Sequence, residues 1–180
     1  MRVIAGRWRG RALAAPAGAA TRPTADRVRE ALFSMLDARL RGFEGLAVAD
    51  LFAGSGALGL EALSRGAAHV TFVDHDQAAV AAIRANLVKL GADTQAAEVQ
   101  PVAAIACRLS RPVDLLLADP PYGSALAAPA VLALRAAGML APSAWIAVET
   151  GRGESAGLEG LVDLAERRHG AACLTLGRIG

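Results

Sequence analysis

Apolar residues recur along this chain in two alternating rhythms. Short runs of Val, Leu, Ile and Ala predict buried strands at residues 47–52, 70–73, 97–99, 113–118 and 144–149. Between them, apolar positions spaced three and four apart predict helices at 57–64, 77–90, 102–109 and 127–137. Gly66 and Gly91 stand where the first two of these helices should stop. Strand–helix alternation implies a mostly parallel sheet with helices on both faces, an α/β fold. Residues 163–168 and 173–176 flank Gly170 and predict an antiparallel hairpin at the end of that sheet. Residues before 46 follow a different plan. The apolar triplets 3–5 and 12–14 bracket Gly6-Arg7-Trp8-Arg9-Gly10-Arg11, a pattern that predicts a small β-hairpin. A Pro/Gly/Ala linker follows over 15–23. Then Val28, Leu32, Met35 and Leu36 share one face of a helix running to about residue 40, with Thr24 or Asp26 as its cap.

At 180 residues, 54% of them apolar, the chain has enough material for one packed core. No apolar run approaches the roughly 18 residues that a membrane span requires, and the first residues lack a secretory pattern. Cys107 and Cys173 show no pairing or metal spacing, and the three histidines are scattered. A reduced, cytoplasmic protein without structural zinc is expected, its cysteines serving as core filler. Charge changes the picture more. The net charge is only +2, yet residues 1–41 hold nine arginines against Asp26, Glu30 and Asp37. That segment carries +6 and the remainder −4. A basic arm on a mildly acidic body suggests a polyanionic partner. The chain therefore divides into a basic extension, residues 1–45, and an α/β domain, residues 46–180.

The string Asp50-Leu51-Phe52-Ala53-Gly54-Ser55-Gly56-Ala57-Leu58-Gly59 lies where a strand feeds a helix. Its glycines satisfy G-x-G-x-x-G, a pattern shared by dinucleotide enzymes and methyltransferases. They allow backbone to approach a ligand at the carboxyl edge of the sheet. Asp74, twenty residues after Gly54, ends the next strand and can accept both hydroxyls of a ribose. Charge separates the two ligand classes. A pyrophosphate seeks bare amides and would be repelled by Asp50, whereas a cationic sulfonium and an amino group would be attracted. The acid therefore favours S-adenosylmethionine over NAD. The alternatives are that Asp50 is a solvated turn residue and Asp74 a surface carboxylate, with Asp76 capping the following helix.

Asp119-Pro120-Pro121-Tyr122 follows the fourth strand on the same sheet edge. Two prolines remove amide donors and leave carbonyls as acceptors, Asp119 adds a carboxylate, and Tyr122 a flat face. An exocyclic base amine needs such partners, because its lone pair is delocalised into the ring. Acceptors on its two N–H bonds localise that pair, and a stacked tyrosine holds the base. As an isolated tetrapeptide, the same residues would be an ordinary loop end.

These blocks together resemble class I adenosylmethionine-dependent methyltransferases of the amino-group type. Arg7-Trp8-Arg9-Gly10-Arg11-Ala12-Leu13 and Thr21-Arg22-Pro23-Thr24-Ala25-Asp26-Arg27-Val28-Arg29-Glu30-Ala31-Leu32-Phe33 narrow this to a resemblance with the RsmD family, bacterial 16S ribosomal RNA guanine-N2 methyltransferases. The resemblance implies a Rossmann-like sheet of seven strands with an antiparallel last strand. It implies catalysis around Asp119, Pro120, Pro121 and Tyr122. Candidate cofactor contacts are Asp50, Phe52, Gly54, Ser55, Gly56, Asp74, His75 and Val102. Arg22, Thr24 and Arg27 are expected near the cofactor or target base, and Arg7, Arg9 and Arg11 on RNA phosphates. Arg29 is either part of this constellation or a solvated helix face; Trp8 either stacks on RNA or covers the core. Adenine is to be held by backbone near Val102 or by Gln100. The implied partner is 16S ribosomal RNA or a small-subunit assembly particle, with no membrane and a monomeric enzyme. Competing readings are a methyltransferase acting on another RNA or DNA base, a nicotinamide-dependent oxidoreductase, and a non-catalytic RNA-binding module.

Overall fold

The computed structural model describes residues 1–16 and 23–180, with the side chains of residues 23–25 excepted. Strands β1 (Ala47–Leu51), β2 (His69–Val73), β3 (Ala97–Gln100), β4 (Val113–Ala118), β5 (Leu140–Gly151), β6 (Val162–His169) and β7 (Ala172–Arg178) form one sheet. Their order is β3-β2-β1-β4-β5-β7-β6. All neighbours pair in parallel except β7, which runs antiparallel to both β5 and β6. The chain steps outward from β1 to β3, then returns to place β4 against β1. That reversal opens a crevice at the carboxyl ends of β1 and β4.

Helices α1 (Pro23–Asp37), α2 (Ala57–Ser64), α3 (Gln77–Leu90) and α4 (Ala127–Ala136) cover the sheet. Strand periodicity sorts the core into two layers. Val48, Phe72, Leu115, Leu117 and Ala147 pack with Leu32, Phe33 and Leu36 of α1 and Leu60 and Leu63 of α2. Ala49, Leu51, Leu116, Ile146 and Val148 pack with Ala130, Val131 and Leu134 of α4. Asp76 caps α3 by accepting from the Ala78 amide at 2.9 Å, and Gly91 ends it at φ 64°. Cys107 and Cys173 are free and buried. Among the described residues, no helix is long and apolar enough to cross a membrane.

Several elements depart from the sequence expectation. The N-terminal hairpin forms around one bridge, Arg2 with Ala12, with backbone bonds from the Val3 amide to Arg11, Gly10 to Val3 and Leu13 to Met1, but its tip is a 3-10 turn, Gly6–Trp8. Side chains of α2 take other amides of this segment. Glu61 accepts from Ile4 and Ala5 at 2.7 and 2.9 Å, and Ser64 Oγ accepts from Trp8 at 3.0 Å. Helix α1 starts at Pro23, so Thr24 and Asp26 lie inside it rather than capping it; proline's fixed φ and missing donor suit a first helical position. The helix expected over 102–109 is only a 3-10 turn, Ala104–Ala106. There the Gln100 side chain clamps Arg108, donating to its carbonyl at 2.7 Å and accepting from its amide at 3.1 Å. Strand β5 begins four residues before its expected start at Ala144, because Pro142 and Ser143, the latter at φ 63°, lie within it after a register shift.

Candidate active site

Four carboxylates meet at the carboxyl edge of the sheet. Asp50 pairs in register with Phe72 and with Leu117, and Leu117 pairs with Ala147. Paired residues of parallel strands share a face, and alternate residues return to it. Asp50, Asp74, Asp119 and Glu149 therefore project from one face, at the ends of β1, β2, β4 and β5. A cleft of about 190 Å³ lies there, lined by Asp50, Phe52, Ala53, Gly54, Ser55, Ala57 and Leu58 together with Asp119, Glu149, Arg29 and Met1.

Asp50 is not a solvated turn residue: it is 1% exposed. Its Oδ2 accepts from the Gly59 amide at 2.8 Å, but its Oδ1 has no partner among the described residues. Burial pushes its carboxyl well above the usual range, the Gly59 amide opposes this, and the Asp119 and Asp74 charges add to it. The loop after β1 turns through left-handed backbone at Phe52, Gly54 and Gly56, φ 58°, 55° and 77°. Space beside Gly54 is open, so a ligand can approach the main chain there. Gly59 plays a different part from the ligand approach expected of it. A Cβ there would meet Phe72 Cε1 at 2.4 Å, so this glycine lets α2 press onto β2.

Asp74 accepts from the Gly54 amide at 2.8 Å and the Asp76 amide at 2.9 Å. It thus fixes the glycine loop, with exposed His75 beside it at 3.7 Å. Gly56, Asp74, His75 and Val102 do not line the cleft itself. The Val102 amide donates to the Gln100 carbonyl at 2.9 Å, and the Gln100 side chain is held by Arg108.

Asp119 is exposed to solvent at the cleft mouth, while protein atoms crowd the rest of its carboxyl and desolvate it. That desolvation, reinforced by the Glu149 charge, pushes its carboxyl up to about 7. Burial likewise raises Glu149, while the hydrogen bond from Tyr122 opposes the rise. The Tyr122 hydroxyl donates to Glu149 Oε1 at 2.8 Å, and the ring is half exposed. Of the carbonyls expected to stand free, that of Pro121 accepts from Ser124 at 3.2 Å. Pro120 is buried, and its carbonyl accepts no bond from the described residues.

Among the arginines, Arg9 and Arg27 line a separate groove of about 590 Å³ with Arg2 and Glu30. Arg7 lies 4.0 Å over the Trp8 ring, and Trp8 is buried, which places it in the core. Arg11 donates to the Lys89 carbonyl at 2.7 Å. Arg22 and the Thr24 side chain lie outside the described residues.

Arg29, left open by the sequence, is 4% exposed and reaches the cleft. It donates to Asp26 at 3.1 Å and to the Arg2 carbonyl, and its buried Nε has no partner among the described residues. Its spacing with Leu32, Phe33 and Leu36 places it on the apolar stripe, a signal that was available. Glu149 and Asn86 were not singled out. Asn86 is fully buried and ties the N-terminal segment to the glycine loop, bonding Ala14 at 2.8 and 3.0 Å and the Ser55 carbonyl at 2.9 Å.

A seven-stranded sheet of this order, with a glycine loop after β1, an acid after β2 and Asp-Pro-Pro-Tyr after β4, defines a class I methyltransferase. Within that class, the chain belongs to the family described as conserved hypothetical protein 95, whose model matches residues 1–178. It is 39% identical over 150 residues to ribosomal RNA small subunit methyltransferase D of Escherichia coli (strain K12), covering 83% of this chain and 74% of that one. Bacillus subtilis YlbH is 52% identical over 90 residues, 50% of this chain and 47% of that one, so the match spans about half of that relative. The solved structure of Escherichia coli yhhF superposes with a TM-score of 0.84 at 35% identity, over 99% of this chain and 97% of that one.

Proposed function

We propose that the chain transfers a methyl group from S-adenosylmethionine to the exocyclic N2 amine of a guanine in 16S ribosomal RNA. The observation that carries this reading is the single cleft shared by the glycine loop and by Asp119 and Glu149. The residues suit the donor. Asp50 offers an unpaired buried acceptor and Arg29 an unpaired buried donor, which complement the opposite charges of an amino acid moiety carrying a sulfonium. Phe52, Gly54 and Ser55 would border it, and Gly56, Asp74 and His75 would shape the ribose end, with adenine toward Val102. S-adenosylmethionine supplies an electrophilic methyl on a cationic sulfur.

The acceptor side belongs to Asp119, the Pro120 carbonyl, Pro121 and Tyr122. Asp119 accepts a hydrogen bond from the amine and stabilises positive charge developing on its nitrogen. A carboxyl poised near 7 can also take the proton that the amine sheds. Tyr122 supplies a face for the base, which must leave its helix to reach the cleft. Arg2, Arg9 and Arg27 along their groove, with Arg7, Arg11, Arg22 and Thr24, form the RNA-binding extension of residues 1–45; residues 46–180 form the catalytic domain. The partner is 16S RNA or a small-subunit assembly particle, met in the cytoplasm by a monomer.

Labelled methyl transfer into small-subunit RNA and particles, followed by mapping, tests the assignment. Label in an N2-methylguanine is the expected product. Saturable NAD binding without S-adenosylmethionine binding would instead favour an oxidoreductase.

A further inference from the structure

Glu149 has a position for which the chemistry of methyl transfer alone gives no reason. Ala118 and Val148 are register partners on neighbouring parallel strands, and Asp119 and Glu149 are the next residue of each. Their side chains leave the same face about 4.8 Å apart at the backbone, the spacing of adjacent strands. Both line the same small cleft. Placing two carboxylates side by side is electrostatically unfavourable, and their mutual charge helps to raise Asp119. The Tyr122 hydroxyl binds Glu149 through Oε1, which orients the carboxylate and leaves Oε2 without a partner among the described residues.

Such a pair presents adjacent acceptors to whatever amine enters. On that reading of the reaction, we infer that Glu149 selects the acceptor base by accepting the ring N1–H of guanine, while Asp119 accepts from its N2 amine. The complementarity is specific to one base. Guanine carries two neighbouring donors, N1–H and N2–H. In adenine and cytosine the ring nitrogen beside the exocyclic amine carries a lone pair instead, which a carboxylate would repel. A site built to bind an N–H also loses that bond, and leaves its acceptor unpaired, when the N–H is missing. Tyr122 then has two tasks, holding the base by its ring and holding Glu149 by its hydroxyl.

Base analogues at the methylated position separate this inference from the activity itself. Small-subunit particles are assembled with RNA carrying guanine, 2-aminopurine or O6-methylguanine at that position. All three keep the N2 amine, but only guanine has the N1–H. The intact enzyme should prefer guanine by about tenfold to a hundredfold in kcat/KM. In Glu149→Gln that preference should shrink to a few-fold, because the amide can turn its N–H toward a lone pair at N1. Tyr122→Phe, which loosens Glu149, should give an intermediate ratio. S-adenosylmethionine affinity and melting temperature report whether each variant is folded. Equal rates on guanine and the two analogues by the intact enzyme would overturn the inference without any variant. So would a ratio unchanged in folded Glu149→Gln. Absence of transfer to any guanine would remove both the activity and the selection built on it.

Discussion

At Asp119 a carboxyl is held against its own preference, with consequences for pH. It ionises near 3.8 in an unfolded chain and at about 7 in the fold. The folded state thus binds the proton more tightly, and its stability falls as pH rises from the lower value to the higher. Above about 7 the loss is complete. Water at the cleft mouth screens part of it, leaving about 1 kcal/mol. Asp119→Asn should therefore raise the melting temperature at pH 8 by about 2–4 °C, measured by calorimetry. It should also lower turnover at least about 100-fold while S-adenosylmethionine affinity stays within a few-fold. In the intact enzyme, kcat/KM should climb through about pH 7 as Asp119 becomes an acceptor. Turnover unaffected by the substitution would remove Asp119 from the chemistry.

At the scale of elements, α2 does more than cover the sheet. Glu61 is fully buried within it, where it accepts from Ile4, Ala5 and the Arg65 Nε, the last at 2.8 Å. Glu61→Ala leaves two amides and a guanidinium without that acceptor and should cost about 3–5 kcal/mol in denaturant unfolding. A loss below about 1 kcal/mol would mean that the N-terminal segment is not tied down through this residue. The sequence hints at such a role only weakly. Glu61 sits in Ala57-Leu58-Gly59-Leu60-Glu61-Ala62-Leu63-Ser64, a helix with little polar face, so a lone acid there is a poor candidate for solvent. The bounds of α2, α3 and β4 follow directly from period and from Gly91, because local pattern and tertiary burial agree there. The N-terminal hairpin was legible from its apolar triplets, but its attachment to α2 was not, because that rests on amides bonded to side chains some 56 residues away. The shared sheet edge of Asp50, Asp119 and the glycine loop was legible, and one cleft brings them together. Glu149 was not legible, because strand register brings it beside Asp119 and no local spacing records it.

At the scale of the whole molecule, the basic segment and the cleft form one body. Val3, Trp8 and Leu13 join the same core as Val48 and Leu117. Arg7, Arg9 and Arg11, beside Trp8 and Leu13, are consequently held in fixed relation to the cleft. Arg9 and Arg27 both line the groove of about 590 Å³. Reversing both to Glu should weaken RNA binding and lower the slope of log affinity against log salt by about 2. Cofactor affinity should stay the same; an unchanged slope would mean that RNA does not use this groove.

The central claim is spatial: donor and acceptor meet in the cleft between the glycine loop and Asp119. A crystal structure with S-adenosylhomocysteine and guanosine monophosphate measures it directly. The sulfur is expected beside Gly54 and Asp50, with the guanine N2 on the far side, within hydrogen-bond reach of Asp119. Finding the cofactor instead in the cavity of about 440 Å³ on the α4 side, behind Pro120 and Thr150, would contradict the account.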